Sequence, residues 1–265
     1  EIGTPLFERN NRSVALTPAG TAFLETARRI LDGLEDGVAR TRRVAQGMDG
    51  HLTMTFINIA PYALLLRALR DFRAASPAVA FTLREATTRE QVEALESGAA
   101  DIGFLRAPGA SAPGLRFQAL LREPVCVALP AGHPLAARAS IELASLRDQP
   151  FVVSARALGQ GFHDQLVQLC QAAGFQPAVA QEARQLQTLI ALVAAGFGIA
   201  LLPGSLAAQR GEDVVFRRIE GDAPVALTHL DLLMAWNPGR ASPARDRLVA
   251  TMQAVFPDVE RLVPV

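Results

Sequence analysis

The sequence contains no lysine, and all 26 of its cationic side chains are arginines. Without lysine there is no amine for a Schiff base and no phosphate-binding lysine of the P-loop kind. Cysteine is also scarce, since only Cys126 and Cys170 occur and their spacing fits neither a metal site nor a redox pair. We expect two reduced core thiols, which favours a cytoplasmic location. No run of 18 apolar residues is present, so no membrane span is expected.

Acidic residues also number 26, so the formal net charge is zero. This balance predicts neither a polybasic surface nor an acidic tail. The 265 residues, half of them hydrophobic, are enough for one large or two medium domains. Because the chain starts at Glu1 and not at a methionine, we expect it to be a fragment of a longer protein.

A long amphipathic helix is predicted over residues 17–48. Thr17 suits the N-cap and Pro18 the first helical position. A narrow apolar stripe follows, of the width found in a coiled-coil seam, and it consists of Phe23, Ala27, Ile30, Leu34 and Val38. The helix cannot bury this stripe by itself, so we expect a partner helix from another subunit.

From residue 50 onward, short apolar segments alternate with amphipathic ones, which is typical of α/β units with a mostly parallel sheet. Two such sets are present, and two strands are predicted between them in residues 115–130. We expect two similar lobes, with lobe I formed by residues 50–122 and 227–265 and lobe II by residues 123–226. The chain would cross twice between the lobes, and the cleft between them is the expected ligand site.

No pattern for catalysis, a metal or a cofactor is evident. There is no G-x-S-x-G nucleophile motif, and the four histidines show no HExxH or Cys/His metal spacing. The phrase "GFGIAL" at residues 196–201 has two of the three glycines of a dinucleotide fingerprint, but it follows a predicted helix and not a strand. We therefore predict no catalytic residue, no metal, no cofactor and a protein that is not an enzyme.

Features that suit ligand binding are clearer, because three predicted helix starts face the expected cleft. A helix start offers free N–H groups and about half a positive charge, which suits a carboxylate. Arg106, after an apolar strand, adds a charge and a bidentate hydrogen bond. The residues at the three starts are Asn58 and Ile59, Thr87 and Thr88, and Gly159, Gly161 and Phe162.

Each of these features has a purely structural alternative. Thr87 with Glu90, and Thr88 with Gln91, both fit a helix capping box. For the remaining residues the alternatives are a surface ion pair for Arg106, a core position for Phe162 and a simple turn for the glycines. Spacing alone leaves these alternatives open.

The N-terminal phrase "GTPLFERNNRSVALTPAGTAFLETARRIL" resembles the wing and linker helix of LysR-type transcriptional regulators. The family phrase LFxRxxRxxxLTxAG is matched by Leu6, Phe7, Arg9, Arg12, Leu16, Thr17, Ala19 and Gly20. The phrases "DIGFLR", "GHPLA" and "VAAGFGIALLP" follow in the family's order, so the resemblance covers essentially the whole chain.

The resemblance implies a two-lobed, periplasmic-binding-protein-like (type II) effector domain. Ahead of it would lie the remnant of a winged helix-turn-helix in residues 1–16 and a dimerisation helix in residues 17–48. Most of the DNA-binding head would be missing, with Arg9 and Arg12 as contacts to the DNA backbone or, alternatively, as surface charges of the wing. A cytoplasmic homodimer or homotetramer without a membrane partner is expected.

The phrases "TTREQVEAL", "GFLR" and "ALVAAGFGI" resemble the branch of this family that senses muconate- or benzoate-like acids in aromatic-compound breakdown. The resemblance implies that Thr88, Arg106 and Phe162 bind a small carboxylate inducer. Ile59 stands where the branch has a hydroxyl residue, and Asn58 beside it is a partial substitute. The expected function is therefore inducer-dependent regulation of transcription.

Two alternatives share the expected fold. A solute-binding protein of a transport system would be an exported monomer, and the N-terminal phrase would have no role in it. An enzyme such as a lyase or deaminase of the porphyrin-synthesis type is disfavoured by the missing lysine and nucleophile motif.

Overall fold

The computed structural model describes residues 2–10, 13–58, 62–107, 112–209 and 211–261. Its elements in chain order are β1 (Phe7–Asn10), β2 (Ser13–Leu16), α1 (Pro18–Ala45), β3 (Asp49–Phe56), α2 (Ala63–Ala75), β4 (Ala78–Glu85), α3 (Thr88–Ser97), β5 (Ile102–Leu105), β6 (Arg116–Pro130), β7 (Ser140–Glu142), β8 (Pro150–Ser154), α4 (Gln160–Ala172), β9 (Ala178–Ala183), α5 (Leu186–Ala194), β10 (Ala200–Pro203), β11 (Val214–Glu220), α6 (Val225–Thr228), β12 (His229–Trp236), α7 (Pro243–Val255) and β13 (Glu260–Arg261). Short 3-10 turns lie between several of them.

The N-terminal part is an antiparallel hairpin of β1 and β2 followed by the long helix α1. Thr17 is the N-cap of this helix, as the sequence predicts, and its hydroxyl accepts a hydrogen bond from the Gly20 N–H at 2.8 Å. A Cβ on Gly20 would lie 2.0 Å from the Leu6 carbonyl oxygen. Only glycine therefore lets the hairpin pack this closely against the first turn of α1.

The apolar stripe of α1 remains open to solvent. Its large side chains are between 44% and 65% exposed, and they are Phe23, Ile30, Leu34 and Val38. Gly20 is the one residue of α1 that is buried. A helix of 28 residues with such a stripe gains little of its stability from contacts inside this chain, because helices in proteins depend on packing an apolar face.

Lobe I is built around a mixed sheet whose strand order is β4-β3-β5-β12-β6. Strands β3, β4 and β5 are parallel, whereas β12 is antiparallel to both of its neighbours. Helices α2 and α7 pack on one face over a core that includes Leu52, Phe72, Phe104, Met234 and Leu248. The prediction of a mostly parallel sheet is therefore wrong beyond the first three strands.

β6 is one strand of 15 residues, where the sequence pattern predicts two. Its first part pairs with β12 as far as Pro124, which lies opposite His229. From Val125 onward it pairs with β10 and β11. Proline has no N–H to donate to a ladder, and Pro124 is tolerated because the strand changes partners there. A single continuous strand thus carries the chain from lobe I into lobe II.

Lobe II places β10 and β11 antiparallel to β6, and β7 parallel to β11. A separate parallel pair, β8 and β9, packs with α4 and α5 around a core that includes Val127, Phe151 and Leu201. The sequence patterns do not predict β7, β11 or α6. The return to lobe I runs through α6 into β12.

Cys126 and Cys170 are both free and buried, which confirms the prediction of two core thiols. Burial disfavours the thiolate and raises the pKa of Cys126 to about 11 and that of Cys170 to about 12. Neither thiol is therefore a nucleophile near neutral pH. Within the described ranges, every helix is too short or too polar to cross a membrane.

Candidate binding cleft between the lobes

A cavity of about 230 Å³ lies between the two lobes. Its lobe I wall is formed by the ends of β3 and β4, the start of α3 and the residue after β5, and its lobe II wall by the end of β8 and the starts of α4 and α5. Strand ends and helix starts meet at such a cleft in open α/β lobes. The cavity is just below the range of about 300–1,000 Å³ that drug-sized ligands occupy, so it suits a small molecule.

Four of the six residues that the sequence assigns to an inducer line this interlobe cavity, namely Asn58, Thr88, Arg106 and Phe162. Gly161 does not line it, because it lies inside the first turn of α4, whereas Gly159, just before that helix, does. Ile59 lies outside the described residues.

The start of α3 is fixed by one capping box. The Thr87 hydroxyl accepts a hydrogen bond from the Glu90 N–H, and the Glu90 carboxylate accepts one from the Thr87 N–H at 2.8 Å. These bonds to Thr87, followed by those to Arg184, lower the pKa of Glu90. The structural alternative for Thr87 is therefore correct, although this residue also lines the cavity.

The second predicted capping box, Thr88 with Gln91, is wrong. The fully buried Gln91 amide donates instead to the carbonyl oxygens of Ala86 and Phe104, at 3.0 and 3.1 Å. It thereby ties α3 to the strands on either side of it. The Gln91 backbone N–H donates to the Thr87 carbonyl oxygen at 2.9 Å and not to the Thr88 hydroxyl. This hydroxyl, on a residue only 7% exposed, makes no hydrogen bond to any residue of the described ranges.

Arg106 is not the exposed ion pair of the structural alternative, since it is only 6% exposed. Its Nη2 lies 2.5 Å from Glu123 Oε1 and 2.6 Å from the Tyr62 hydroxyl, which itself donates to Glu123 Oε1 at 2.7 Å. The other Glu123 oxygen accepts the backbone N–H of Ser205 at 2.8 Å. Arg106 Nη1 is buried and has no hydrogen-bond partner among the described residues.

This network keeps its charges at neutral pH. Burial by itself raises the pKa of Glu123, but the charge of Arg106 and the hydrogen bonds from Ser205, Arg106 and Tyr62 outweigh it, and the pKa is lowered overall. Burial raises the pKa of Tyr62, so the phenol stays protonated and donates to the carboxylate. Arg106, which lines the cavity, therefore has Nη2 bonded to Glu123 and Tyr62 and Nη1 without a partner among the described residues.

Sequence reasoning missed Glu123 and Tyr62. Tyr62 is the only tyrosine of the chain, and Glu123 is a single acid inside the apolar phrase "LLREPVCVALP". A single acid in an apolar strand needs a buried partner. The position of Glu123 therefore predicts a cationic side chain from elsewhere in the chain beside it.

One ion pair crosses between the lobes beside the cavity. Arg184, which precedes α5, places Nη2 2.7 Å from Oε1 of Glu90 on α3. Both side chains are about half exposed, so the pair contributes at most about 1 kcal/mol. It is nevertheless a direct contact whose making or breaking depends on how far the lobes are closed.

The residues predicted to contact DNA lie far from this cleft in sequence. Arg9 is exposed on β1, opposite Val14, and Arg12 lies outside the described residues. Among the side chains that the structure describes, no group of His, Cys, Asp and Glu is arranged to hold a metal ion.

Two α/β lobes joined by a continuous strand define a ligand-responsive effector domain. A small cavity lined by both polar and apolar side chains lies between the lobes, and a long helix with an exposed apolar stripe precedes them. The LysR substrate binding domain is the family model that matches, over residues 45–257. The chain belongs to the LysR family of transcriptional regulators.

Similar proteins agree with this assignment. The chain is 34% identical to the HTH-type transcriptional regulator AlsR of Bacillus subtilis, over 83% of this chain and 72% of that protein. It is 35% identical to the Hca operon transcriptional activator HcaR of Escherichia coli, over 95% of this chain and 83% of that protein. It also resembles full-length CbnR in complex with target DNA, with a TM-score of 0.79 and 29% identity over 96% of this chain and 85% of that one.

These findings support a DNA-binding regulator over a transport solute-binding protein or an enzyme. Regulators of this family bind DNA and small-molecule effectors and act as oligomers.

Proposed function

We propose that this regulator responds to a small organic carboxylate that binds in the interlobe cavity, and that it controls genes of aromatic-acid breakdown in the cytoplasm. The observation that carries the proposal is the unpartnered Nη1 of Arg106, a buried guanidinium that lines the cavity. An arginine fork is the side chain best suited to a carboxylate.

Several neighbouring groups complete a carboxylate site. The Thr88 hydroxyl and the first N–H groups of α3 lie on the same wall as Arg106, and a helix start stabilises an anion. Phe162, on the opposite wall, packs against the body of the ligand, while Gly159, just before α4, contributes backbone. Asn58 lines the cavity at the end of β3, and Ile59 is included on the sequence resemblance alone.

A ligand that touches both walls changes the free energy of lobe closure by the difference in its contacts between open and closed forms. The change reaches α1 through its junction with β3. Gly47 there has a φ of +67°, and a Cβ on it would lie 2.2 Å from the Pro243 carbonyl oxygen. Arg40 on α1 also lies 3.5 Å from Asp49 on β3. The junction that follows α1 is thus packed closely against lobe I, and movement of the lobe is passed through this junction to the end of the helix.

The exposed stripe of α1 pairs with the same helix of a second copy, giving a homodimer that associates further into a homotetramer. The β1–β2 hairpin at its start is the wing, from which Arg9 and Arg12 contact DNA phosphates. Such contacts add affinity that is independent of base sequence.

A thermal-shift panel tests the proposal, with benzoate, salicylate, muconate and chlorinated relatives as ligands. At least one acid should raise the melting temperature in a concentration-dependent way. Thr88→Val keeps the shape of the side chain and removes only the hydroxyl, so it should weaken the response while leaving the ligand-free melting temperature almost unchanged. Thr41→Val, on the exposed face of α1, is the matched control.

Arg106→Gln should abolish the response, judged against the melting temperature of the variant itself. A ligand-induced shift that is equal in wild type, Thr88→Val and Arg106→Gln would place the ligand elsewhere and overturn the proposal.

A further inference from the structure

The chain returns from lobe II to lobe I through a short and largely exposed segment, in which α6 leads directly into β12. The last carbonyl groups of a helix have no partner inside it, so those of Ala226 and Leu227 need donors from outside α6. The next strand over, β6, has no N–H opposite His229, because Pro124 stands there. Three carbonyl oxygens, those of Ala226, Leu227 and His229, therefore lie where the chain re-enters the lobe I sheet.

One side chain of lobe II binds all three of these carbonyl groups. The Nε2 group of Gln165, on α4, lies 3.0, 3.2 and 2.6 Å from the three oxygens, in chain order. A side-chain amide has two N–H donors, and here they are shared among three acceptors. Gln165 therefore fixes α6 and the first residue of β12 to α4.

The same helix forms part of the lobe II wall of the cavity. Phe162 lines the cavity and precedes Gln165 by three residues, so both side chains lie on one side of α4. Beyond the bonds from Gln165, β12 continues into lobe I, where Leu230 lies opposite Glu123, the residue that binds Arg106. The two walls of the cavity are thus connected behind it, from Phe162 through Gln165 and the start of β12 to Arg106.

We infer that Gln165 is a positioning residue that couples α4 to the segment joining the lobes, and that it thereby sets the angle between them. The inference rests on the proposed function for its ligand, since a molecule that contacts Phe162 acts on α4 and Gln165 passes this action to β12. Without the amide, the three carbonyl groups lose this donor, and α4 can move independently of β12.

Distance measurements between two spin labels test the inference on the complete chain without a ligand. The labels are attached at Glu96→Cys on α3 and Thr188→Cys on α5, which are exposed positions on different lobes. Cys126 and Cys170 are buried and stay unlabelled. An excess of unlabelled protein removes distances between subunits. Gln165→Met should shift the mean distance by about 2 Å or more, the size of a domain rearrangement.

Two kinds of variant separate hydrogen bonding from packing. Gln165→Glu keeps the shape of the side chain, but its carboxylate only accepts hydrogen bonds, so the distance should shift at least as far as in Gln165→Met. Gln168 is an exposed glutamine of the same helix, and Gln168→Met and Gln168→Glu should leave the distance unchanged. A wild-type distance in Gln165→Glu, or equal shifts at the two positions, would overturn the inference.

The acids of the thermal-shift panel distinguish this inference from the proposed function. An acid that binds should change the label distance in wild type and in Gln168→Met. In Gln165→Met the same acid should still raise the melting temperature, while the change in distance falls by about half or more. An equal change in all three proteins would show that the response does not pass through Gln165. If no acid binds, the proposed ligand is refuted, and the ligand-free distances decide the role of Gln165.

Discussion

Replacing Arg106 by methionine would remove the guanidinium and keep an unbranched apolar stem of similar length. Glu123, only 1% exposed, would then lose its counter-charge at 2.5 Å. Breaking a buried ion pair from one side costs about 3–5 kcal/mol. Glu123 would keep the hydrogen bonds from Tyr62 and from the Ser205 N–H, so we expect the lower end, about 3 kcal/mol. For a chain of this size that is a melting temperature lower by about 6–12 °C.

The pH dependence of the free energy of unfolding gives a sharper test, because Glu123 affects it differently in wild type and in Arg106→Met. In wild type the pKa of Glu123 is lowered, so its stabilisation is present above the unfolded pKa of about 4.3 and is lost as pH falls through the folded pKa below that value. In Arg106→Met, burial without a counter-charge raises the folded pKa above the unfolded one. The variant should therefore recover stability as pH falls from 7.5 to 5.5, whereas this group contributes no change in wild type over that window.

Urea unfolding followed by the fluorescence of Trp236, the only tryptophan, measures both effects. The double variant Arg106→Met with Glu123→Gln is the control, because a neutral amide has no proton to gain. The double variant should be more stable than Arg106→Met at pH 7.5, and it should not gain stability when the pH falls to 5.5. A loss under about 1 kcal/mol for Arg106→Met, or no rescue by Glu123→Gln, would refute the buried ion pair as the source of the effect.

Three further predictions concern other parts of the chain. Thr87→Ala removes the capping hydroxyl of α3 and should lower the free energy of unfolding by about 1 kcal/mol in urea titrations, while Thr87→Ser should retain most of it. Leu34→Asp places a charge in the apolar stripe of α1, at a residue that is 62% exposed. The variant should sediment as a smaller species in analytical ultracentrifugation and keep its helical circular dichroism. An unchanged mass would mean that the stripe has no partner. Arg184→Gln removes the contact with Glu90 and should change the free energy of unfolding by under about 1 kcal/mol. It should nevertheless increase the radius of gyration measured by X-ray scattering, and high salt should have the same effect on wild type. Equal radii of wild type and variant would show that this ion pair does not hold the lobes together.

Local patterns predicted where α1 and α3 start, because the causes of a helix start are local. Thr17 and Pro18 start α1, and Thr87 starts α3, through hydrogen bonds that span three residues. The position of Arg106 at the cavity was also predictable, since residues that follow parallel strands meet at one edge of a sheet.

What sequence reasoning missed depends on distant contacts. Glu123 and Tyr62 are 61 residues apart, and no local spacing connects them. Two strands were predicted in residues 115–130, whereas β6 is continuous and contains Pro124, a residue type normally excluded from a ladder. The structure accommodates it where β6 exchanges one partner for others, which only the full sheet reveals. Gln91 was predicted to cap Thr88, but burial gave its amide two carbonyl partners instead.

The position of β12 has a consequence for the order in which the chain folds. This strand lies between β5 and β6 in the lobe I sheet, yet it is synthesised on the order of ten seconds after β5 at ordinary elongation rates. Lobe II is complete in the chain before β12 emerges from the ribosome. The edge of β5 that pairs with β12 must therefore remain without its final neighbour during that interval, and a chain cut short after lobe II would be left with a core that cannot close.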